Sequence, residues 1–456
     1  MKRSLSEWLK WQEKLHLSEI DLGLERIGKV AKKLNLLNPN IPIITLAGTN
    51  GKGSSVALLE SILRAQGYKT GAYTSPHLLR YNERIAIDNI PASDAQIINA
   101  FEQIDDARED ISLTYFEFGT LAAMLCFIEQ KVDVIILEVG LGGRLDTSNL
   151  WEATLAIITG IAIDHVAWLG NNREKIAIEK SGIMRKSQPV ISGDPNPPDS
   201  IQAEAQRIGA TLYQFGNAFS YKKLNANDLN ANAIDKNLKE QQWQWKGWET
   251  SWNNQQSITL PLPALQGEFQ LNNAANVIAG LHTIKNLLPV SPGALEEGLK
   301  TVTLSGRMQI LKKNPEWLLD VAHNPQSAEQ LAEYLNKNPV TGKTHAIFSM
   351  LGDKDIKKVI NLMDEHIDTW HITKLEGNRG LETSEINALL SKTLNTATNT
   401  PVENTTNNQS FNTSISHYQD FDAICKQLKK IAKNEDRVVA FGSFLVVSAV
   451  MEVCTN

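Results

Sequence analysis

Short runs of consecutive apolar residues recur along this chain and alternate with stretches in which apolar residues follow a helical period. The clearest runs are residues 41–47, 132–140 and 155–163, each rich in valine, isoleucine and leucine. A strand that is apolar at every position is buried on both faces, and the helical stretches between such strands supply the cover. The pattern therefore predicts an α/β protein built on a mostly parallel sheet.

A glycine-rich turn follows the first of these runs and leads directly into a helical stretch. Residues 48–54 read Gly-Thr-Asn-Gly-Lys-Gly-Ser, and apolar residues at Val56, Leu59, Ile62 and Leu63 mark the helix. Backbone N–H groups at such a turn, together with the positive end of the helix dipole, bind phosphate oxygens. The setting between a strand and a helix favours a nucleotide-binding loop.

Two side chains of this loop add to its chemistry. Lys52 supplies a positive charge for phosphate, and the Ser54 hydroxyl is placed to reach a magnesium ion. The general P-loop pattern has Gly where this chain has Leu46, and Ser or Thr where it has Gly53. A glycine turn with an incidental lysine is the alternative interpretation.

The length of 456 residues predicts two domains rather than one core. We assign residues 1–303 to a P-loop-containing nucleotide-binding domain and residues 304–456 to a smaller, Rossmann-like α/β domain. The Asn-, Gln- and Trp-rich segment at about 222–262 predicts a polar β-excursion, with tryptophans stacked on nucleic-acid bases as the less favoured alternative. The Asn/Thr-rich tract at about 393–416 predicts a mobile loop.

Composition narrows the class of protein. Hydrophobic residues make up 42% and charged residues 21%, as in ordinary soluble globular proteins, and the net charge of −6 gives no reason to expect nucleic acid or an anionic membrane as a partner. Cys126, Cys425 and Cys454 have the spacing of neither a disulfide framework nor a zinc site. The sequence contains no signal peptide and no run of ~18 apolar residues, so we expect a cytoplasmic protein.

Residues suited to binding metal or phosphate stand at or just past the ends of predicted strands. They are Gly48, Ser75, Glu138 and the pair Asp164 and His165. Ligands of open α/β sheets bind at the carboxyl ends of the strands, so we expect these residues at one edge of the sheet. For Glu138, a lone carboxylate that ends a strand is the alternative interpretation.

Several stretches together resemble the Mur ligase superfamily and, within it, the bacterial dihydrofolate synthase/folylpolyglutamate synthases. The resemblance covers residues 21 to about 445 and rests on Gly48-Thr-Asn-Gly-Lys-Gly-Ser54, Tyr73-Thr-Ser-Pro-His-Leu78, Asn82-Glu-Arg84, Leu137-Glu-Val-Gly-Leu-Gly-Gly-Arg-Leu-Asp146, Asp164-His165, Glu179-Lys-Ser-Gly-Ile183, Ser305-Gly-Arg307, Asp320-Val-Ala-His-Asn-Pro325 and Phe441-Gly-Ser443. The tryptophan segment and the Asn/Thr-rich tract match nothing in that family.

The resemblance implies an ATP-dependent, ADP-forming ligase that adds L-glutamate to dihydropteroate and to tetrahydrofolate. ATP phosphorylates the folate-side carboxylate in such a reaction, and the glutamate amine attacks the acyl phosphate through a tetrahedral intermediate. The site needs a phosphate cradle, divalent metal and oxyanion stabilisation more than a nucleophilic side chain. ATP and two Mg²⁺ ions are the implied cofactors, and the resemblance implies a cytoplasmic monomer without nucleic-acid or membrane partners.

The same resemblance implies which residues bind the nucleotide and the metal. The implied nucleotide contacts are Asn50, Gly51, Lys52, Gly53, Ser54, Asn273, Arg307 and Asp320. The implied magnesium ligands are Ser75, Glu138 and His165. Imidazole is an uncommon ligand for so hard an ion, which makes His165 the weakest member on chemical grounds.

The catalytic and substrate residues are implied in the same way. The implied catalytic residues are Lys52, Lys180, which would carry a carbamate, and His323, which would lie near the transferred phosphoryl group. The pterin end of the folate is expected at Thr114, Tyr115, Phe116, Glu117, Leu145, Asp146 and Thr147, with residues 21–26 close by. An aromatic pair to stack on a pterin and a carboxylate to accept from its guanidine-like edge suit this role.

Alternatives stay open for residues and for function. Without the resemblance, Lys180 would be interpreted as an exposed lysine on a helix. Tyr115 and Phe116 would be interpreted as core residues. A cell-wall ligase of the same superfamily should carry a further N-terminal domain of ~80 or more residues, which the 47 residues before Gly48 disfavour. An ATPase that drives a binding partner predicts nucleotide turnover without glutamate, and Arg307 and Asp320 argue against it.

Overall fold

The computed structural model describes residues 3–16, 18, 20–224, 242–248, 257–377, 379–397 and 414–455. The chain folds into two compact units, Met1–Ala264 with Glu268–Thr303, and Leu265–Gly267 with Leu304–Asn456. Each unit is an α/β structure built around its own mostly parallel sheet, so the predicted fold class is confirmed. The assignment of domains to residues 1–303 and 304–456 remains our proposal.

The first unit alternates strands with helices. Its helices are α1 (Leu5–Gln12), α2 (Glu25–Lys33), α3 (Lys52–Gln66), α4 (Asp94–Arg108), α5 (Tyr115–Glu129), α6 (Val166–Leu169), α7 (Arg173–Ser181), α8 (Asp199–Ile208), α9 (Phe269–Thr283) and α10 (Pro292–Thr301). The strands of its main sheet are β1 (Ile43–Ala47), β2 (Thr70–Tyr73), β3 (Ile85–Ile87), β4 (Ile90–Pro91), β5 (Val134–Glu138), β6 (Leu155–Ile158), β7 (Pro189–Ser192) and β8 (Thr211–Gln214).

The main sheet has the strand order β4-β3-β2-β5-β1-β6-β7-β8. The run from β2 to β8 is parallel, and β3 and β4 extend it as antiparallel strands. All five residues of β1 are buried between β5 and β6. Leu46 pairs with Glu138 and Ala47 with Ile158, so the carboxyl ends of these three strands lie at one edge of the sheet.

An apolar cluster packs four helices against the sheet. Trp8, Ile27, Phe101 and Phe118 come from α1, α2, α4 and α5, and all are buried with Leu137 of β5. Burial of each such side chain stabilises the fold by roughly 1.5–3 kcal/mol. The edge that carries the candidate site is therefore supported by a packed core.

The tryptophan-rich segment contributes to a small antiparallel sheet of β9 (Ser220–Lys223), β10 (Gln242–Lys246) and β11 (Ser257–Pro261), in the order β11-β10-β9. Trp243 and Trp245 are fully buried, and the Trp245 indole N–H donates to the Ala275 carbonyl of α9 at 3.2 Å. The alternative interpretation, in which tryptophans of this segment stack on nucleic-acid bases, is therefore wrong for these two residues, because both rings are buried in a core. Residues 225–241 and 249–256, which include Trp252, lie outside the described residues.

The second unit has a six-stranded sheet in the order β12-β13-β17-β14-β15-β16, parallel except for β12. Its strands are β12 (Gln309–Lys313), β13 (Glu316–Leu319), β14 (Thr344–Phe348), β15 (Thr369–Ile372), β16 (Ser414–His417) and β17 (Arg437–Phe441). Its helices are α11 (Pro325–Lys337), α12 (Ile356–Met363), α13 (Thr383–Ala397), α14 (Phe421–Ile431) and α15 (Phe444–Thr455). Throughout the described ranges, no helix has the length and apolarity that a bilayer crossing requires.

The predicted extent of the loop at 393–416 is wrong at both ends, because regular structure enters the tract from each side. Helix α13 continues to Ala397, and β16 begins at Ser414. Ile386, Leu390 and Thr393 are all buried, so the inward-facing stripe of the helix extends into the tract that composition alone marked as a loop. The middle of the tract, residues 398–413, lies outside the described residues.

Candidate active site

The glycine loop after β1 adopts a conformation that two of its glycines make possible. Gly48 and Gly51 have φ angles of +152° and +88°. A Cβ atom at Gly48 would lie 1.9 Å from Thr159 Oγ1, and one at Gly51 would lie 2.6 Å from Asn273 Oδ1. Any side chain at either position would therefore collide with the segment after β6 or with α9, so only glycine fits.

The segment after β6 holds this loop from the outside. The Thr159 hydroxyl donates to the Asn50 carbonyl at 2.7 Å, and the Thr49 N–H donates to the Gly160 carbonyl at 2.7 Å. The sequence analysis did not identify Thr159, although its place directly after an apolar strand is the signal that singled out Glu138. Because these bonds fix the loop backbone, the N-terminus of α3 stays aimed at the edge of the sheet.

Two lysines converge on a single carbonyl of the loop. Lys52 Nζ donates to the Gly48 carbonyl at 3.0 Å and to the Thr49 carbonyl at 3.3 Å, and Lys180 Nζ donates to the Gly48 carbonyl at 2.8 Å. Lys180 is only 4% exposed, so its interpretation as an exposed helix lysine is wrong. Burial, and then the positive charge of Lys52, lower the pKa of the Lys180 amine to about 7.

Ser75 and Glu138 meet at the ends of the neighbouring strands β2 and β5. The Ser75 N–H donates to Glu138 Oε2 at 3.1 Å, and Glu138 is 5% exposed. A hydroxyl and a carboxylate are oxygen donors of the kind that a hard divalent cation prefers. The pair therefore fits part of the predicted magnesium site, and Glu138 is in contact with a second predicted ligand.

The third predicted ligand, His165, follows β6 along the chain. It has a φ of +50° and precedes α6, and its N–H donates to Asp164 Oδ1 at 2.7 Å. Within the described part of the chain, no group of three or more His, Cys, Asp or Glu side chains is arranged to hold a metal. The predicted ligands include only one carboxylate and one histidine, Glu138 and His165, because the third is the serine Ser75. A search for three such side chains therefore does not test this set, and His165 as a metal ligand stays a prediction.

Helix α9 reaches the loop helix through a short chain of amides. Asn273 Nδ2 donates to Gln270 Oε1 at 2.9 Å, and Gln270 Nε2 donates to Ser54 Oγ at 3.3 Å. Gln270, Asn273 and Ser54 are all buried. The structure thus brings two predicted nucleotide contacts together through Gln270, a residue that sequence analysis missed because its partner is distant in sequence.

The predicted pterin residues begin at the N-terminus of α5. The Glu117 N–H donates to Thr114 Oγ1 at 3.2 Å, and the Thr114 N–H donates to Glu117 Oε2 at 2.7 Å, which together form a capping box. Glu117 is 1% exposed, and burial raises the pKa of its carboxyl group. Arg26 lies 3.4 Å from Glu117 and also pairs with Asp21, so the predicted 21–26 segment does adjoin the start of α5.

The aromatic pair Tyr115 and Phe116 is half-buried beside this helix start. Tyr115 makes an edge contact with Tyr81 at 5.6 Å between ring centroids, and Arg84 lies 5.5 Å from its centroid. Burial raises the pKa of the Tyr115 hydroxyl to about 12, so it stays protonated near neutral pH. Phe116 packs on Tyr73 at 5.7 Å. Both rings pack against the core but are only half-buried, so core packing and pterin stacking are compatible.

The segment around Asp146 is organised by that carboxylate. Asp146 Oδ1 accepts from the Ser148 N–H at 2.9 Å, and Oδ2 accepts from the Leu141 N–H at 2.9 Å. Leu145 is half-buried, and the Thr147 hydroxyl lies 2.7 Å from that of Thr120 on α5. Both oxygens of Asp146 are therefore engaged by its own loop, and a contact with pterin would have to use their remaining lone pairs.

The second unit has a separate polar cluster at the carboxyl ends of β13 and β17. Asp320 is buried and accepts from the Met308 N–H at 2.9 Å and the Ala322 N–H at 2.8 Å. Burial raises the pKa of the Asp320 carboxyl group, and the charge of Arg307 acts in the opposite direction. The Val321 carbonyl lies 2.8 Å from Nδ1 of His323 and can only accept, so Nδ1 carries the proton.

Phe444, the first residue of α15, joins the predicted members of this cluster. The Arg307 guanidinium carbon lies 5.0 Å from the centroid of the Phe444 ring, and the His323 ring lies 6.1 Å from it. The Phe441-Gly-Ser443 motif, which carries part of the family resemblance, ends directly before this half-buried aromatic side chain. Its position directly after that motif is the only signal that the sequence offers.

Comparison with known proteins identifies the family. The Mur ligase middle domain matches residues 46–281, and the Mur ligase glutamate ligase domain matches residues 306–444. The chain is 39% identical over 449 residues to the dihydrofolate synthase/folylpolyglutamate synthase of Escherichia coli (strain K12), covering 98% of this chain and 95% of that protein. The chain belongs to the dihydrofolate synthase/folylpolyglutamate synthase family. The Haemophilus influenzae member is 38% identical, with 97% of this chain and 96% of that protein covered.

Solved structures of this family share the fold closely. E. coli FolC in complex with DHPP and ADP has a TM-score of 0.86 at 37% identity, covering 99% of this chain and 98% of that chain. The Yersinia pestis bifunctional enzyme complexed with AMPPNP and Mn ion has a TM-score of 0.85 at 38% identity, covering 100% of this chain and 98% of that chain. The predicted resemblance is confirmed, and family membership replaces the cell-wall ligase and partner-driving ATPase alternatives.

Proposed function

We propose that the chain is an ATP-dependent, ADP-forming ligase that joins L-glutamate to dihydropteroate, giving dihydrofolate, and to tetrahydrofolates, giving folylpolyglutamates. The observation that carries this proposal is the full-length similarity to family members, combined with two lysines that converge on one carbonyl of the glycine turn. Relatives have been crystallised with DHPP and ADP, and with Mn, AMPPNP and L-glutamate. These ligands together supply each reactant class of the proposed reaction.

The loop and its helix bind the polyphosphate of ATP. The N–H groups of Gly51, Lys52 and Gly53 stand at the N-terminus of α3, where the helix dipole favours negative charge. A phosphate oxygen is a stronger acceptor for an ammonium group than a carbonyl is, so Lys52 transfers from the Gly48 carbonyl to the bound phosphate. Its charge then offsets the charge that builds up as the γ-phosphoryl group moves to the folate carboxylate.

A divalent cation at Ser75 and Glu138 would neutralise phosphate charge when bound. We infer two Mg²⁺ ions, with His165 as a further ligand. Glu138 is kept in place by the Ser75 N–H and by its location at the end of a central buried strand. The pair is therefore oriented before any ligand arrives.

Lys180 is the residue that we propose carries a carbamate. Only a neutral amine adds carbon dioxide, and an amine with a pKa of about 7 is neutral in about half of the molecules at neutral pH. The product is an anion beside the ammonium group of Lys52 instead of a second cation. Carbamylation therefore relieves the like-charge contact between the buried Lys180 and the half-buried Lys52.

The folate lies along the start of α5 in this proposal. Tyr115 and Phe116 offer ring faces to the pterin, while Thr114, Glu117, Leu145, Asp146 and Thr147 surround it. Arg26 and Asp21 brace Glu117 from outside, which fixes the N-terminus of the helix.

In the second unit, Arg307 binds phosphate, Asp320 binds ribose or phosphate-bound water, and His323 lies near the transferred group. Asn273 contacts adenine. We also propose that the protein is a monomer and that it is located in the cytoplasm.

Purified protein should release ADP only when ATP, L-glutamate and a pteroate or folate acceptor are all present. We expect ADP release to coincide with a product heavier by one glutamate residue, for dihydropteroate and for tetrahydrofolate in separate reactions. Chelation of divalent cations should abolish both signals. Equal ADP release in the absence of glutamate would contradict the ligase assignment, and activity with only one acceptor would restrict the enzyme to that reaction.

Replacing Phe444 with alanine should raise the KM for ATP by about 2–5-fold and leave the fold intact, because a cation–π contact is worth about 0.5–1 kcal/mol. Phe444 orients Arg307, which we propose binds phosphate. Leu445→Ala is the matched control, since Leu445 is adjacent and 47% exposed. An unchanged KM for Phe444→Ala, or an equal change in the control, would remove Phe444 from the nucleotide site.

A further inference from the structure

Two of the three cysteines meet between the last two helices, although they are distant in sequence. Cys425 is buried on α14, and Cys454 is half-buried near the end of α15. The two thiols lie close enough that each is the largest influence on the pKa of the other. Both are reduced in the structure. The pair has no role in the ligase chemistry described above.

A second contact fixes the same faces of the two helices against each other. Lys429 lies one helical turn after Cys425, and its ammonium group donates to the Val453 carbonyl at 3.1 Å. Residues four apart lie on one face of a helix, so Cys425 and Lys429 both face the end of α15. The bond from Lys429 to Val453 therefore brings the end of α15, which carries Cys454, to the face of α14 that carries Cys425.

The electrostatic surroundings distinguish the two sulfur atoms. The hydrogen bond from the Cys425 thiol, and then the charges of Lys429 and Lys312, lower the pKa of the Cys454 thiol, with burial opposing them. The hydrogen bond to Cys454, followed by burial, raises the pKa of the Cys425 thiol. A thiolate, not a thiol, attacks a disulfide. Cys454, the more exposed of the two, is therefore the attacking residue.

We propose that Cys454 and Cys425 form a thiol–disulfide exchange site that reacts with low-molecular-weight disulfides such as oxidised glutathione. The Cys454 thiolate attacks one sulfur of the disulfide, which forms a mixed disulfide and releases one glutathione thiolate. The Cys425 thiol then loses its proton and displaces the second glutathione, leaving a Cys425–Cys454 disulfide. Two protein thiols are oxidised and one glutathione disulfide is reduced to two thiols, so electrons and atoms balance.

A Cys425–Cys454 disulfide would join α14 to α15 and close the chain segment between the two cysteines into a ring. Closing such a loop stabilises the folded state mainly by restricting the unfolded chain. Helix α15 also carries Phe444, which packs on Arg307 and His323. Oxidation thus restrains the helix that borders the polar cluster of the second unit. Reversible disulfides in reducing compartments typically serve redox sensing, which is the role that this pair would have.

The test treats the full chain with glutathione buffers of increasing oxidised fraction, then counts free thiols after denaturation. We expect the count to fall from three to one, because two thiols are consumed, and to return to three on reduction. The thermal midpoint of the oxidised form should rise by roughly 5 °C. Cys126→Ala is the matched control; it lacks only the distant buried cysteine and should still lose two thiols.

Two variants test the order of attack. Cys425→Ala should stop at the mixed disulfide, seen as the mass of one glutathione on Cys454, and Cys454→Ser should keep both remaining thiols. A count that stays at three under every buffer would overturn the proposal. Accumulation of glutathione on Cys454 of the unaltered chain without loss of the Cys425 thiol would overturn it too, as would modification of Cys425 in Cys454→Ser.

Discussion

Replacing Lys52 with alanine lowers kcat by on the order of a hundredfold or more, with the fold retained. Removal of one preorganised donor to a developing charge costs ~3–4 kcal/mol, and each ~1.4 kcal/mol is a factor of ten in rate. Lys52 begins α3, and its ammonium group already lies at the glycine turn, within 3.0 Å of the Gly48 carbonyl.

The measurement is steady-state turnover with saturating ATP, glutamate and dihydropteroate, together with the thermal midpoint of each protein. Arg64→Ala is the matched control, because Arg64 is an exposed cation on the same helix, and it should keep near-normal turnover. Near-normal turnover of Lys52→Ala would rule out the phosphate role. A midpoint that falls together with kcat would attribute the loss to folding, since Lys52 also bonds two carbonyls of the loop.

The central strands could be predicted from the sequence because burial on both faces makes them apolar at every position. Strand β1 is the clearest example, with all five of its residues buried. The strands β8, β12 and β16 were not predicted, and each lies at an edge of its sheet. An edge strand is half solvated, so β12 reads Gln-Ile-Leu-Lys-Lys and β16 reads Ser-Ile-Ser-His without an apolar run.

The same difference separates the parts of the candidate site that were predictable from those that were not. Ser75 and Glu138 could be placed together because both end strands of a parallel sheet, and the structure joins them at 3.1 Å. Thr159, Gln270 and Phe444 act through partners distant in sequence, and a local pattern can mark a position but cannot identify such a partner. The burial of Lys180 belongs to this group as well, since its position on α7 alone favours an exposed lysine.

Replacing Lys180 with alanine should nearly abolish activity, and short carboxylic acids such as formate should restore part of it. The carbamate that we propose on Lys180 is an anion in a buried site, next to Lys52. Alanine removes that anion and leaves a space that a small carboxylate can occupy. Lys180→Arg should be as inactive as Lys180→Ala and should not respond to formate, because arginine keeps the positive charge that carbamylation removes.

The pH dependence follows from the direction of the pKa shift. Burial lowers the pKa of the Lys180 amine to about 7, so the amine is mostly neutral above that pH and mostly ammonium below it. Carbamate formation, and with it activity, should therefore fall as the pH drops below about 7 and should be partly restored by added bicarbonate. Enrichment with ¹³C-labelled bicarbonate should give a carbamate carbonyl signal, which acidification removes.

A plain ammonium group that pairs with phosphate makes the opposite prediction for Lys180→Arg, for the response to formate and for the pH dependence. Lys180→Arg would then be the most active substitution, formate would have no effect, and activity would rise as the pH fell toward the pKa of the amine. Lys175→Ala is the matched control, because Lys175 lies on the same helix and is exposed, and it should behave as the unaltered protein does. The two explanations differ in the sign of the charge on one buried side chain, so the ranking of arginine against alanine with formate decides between them.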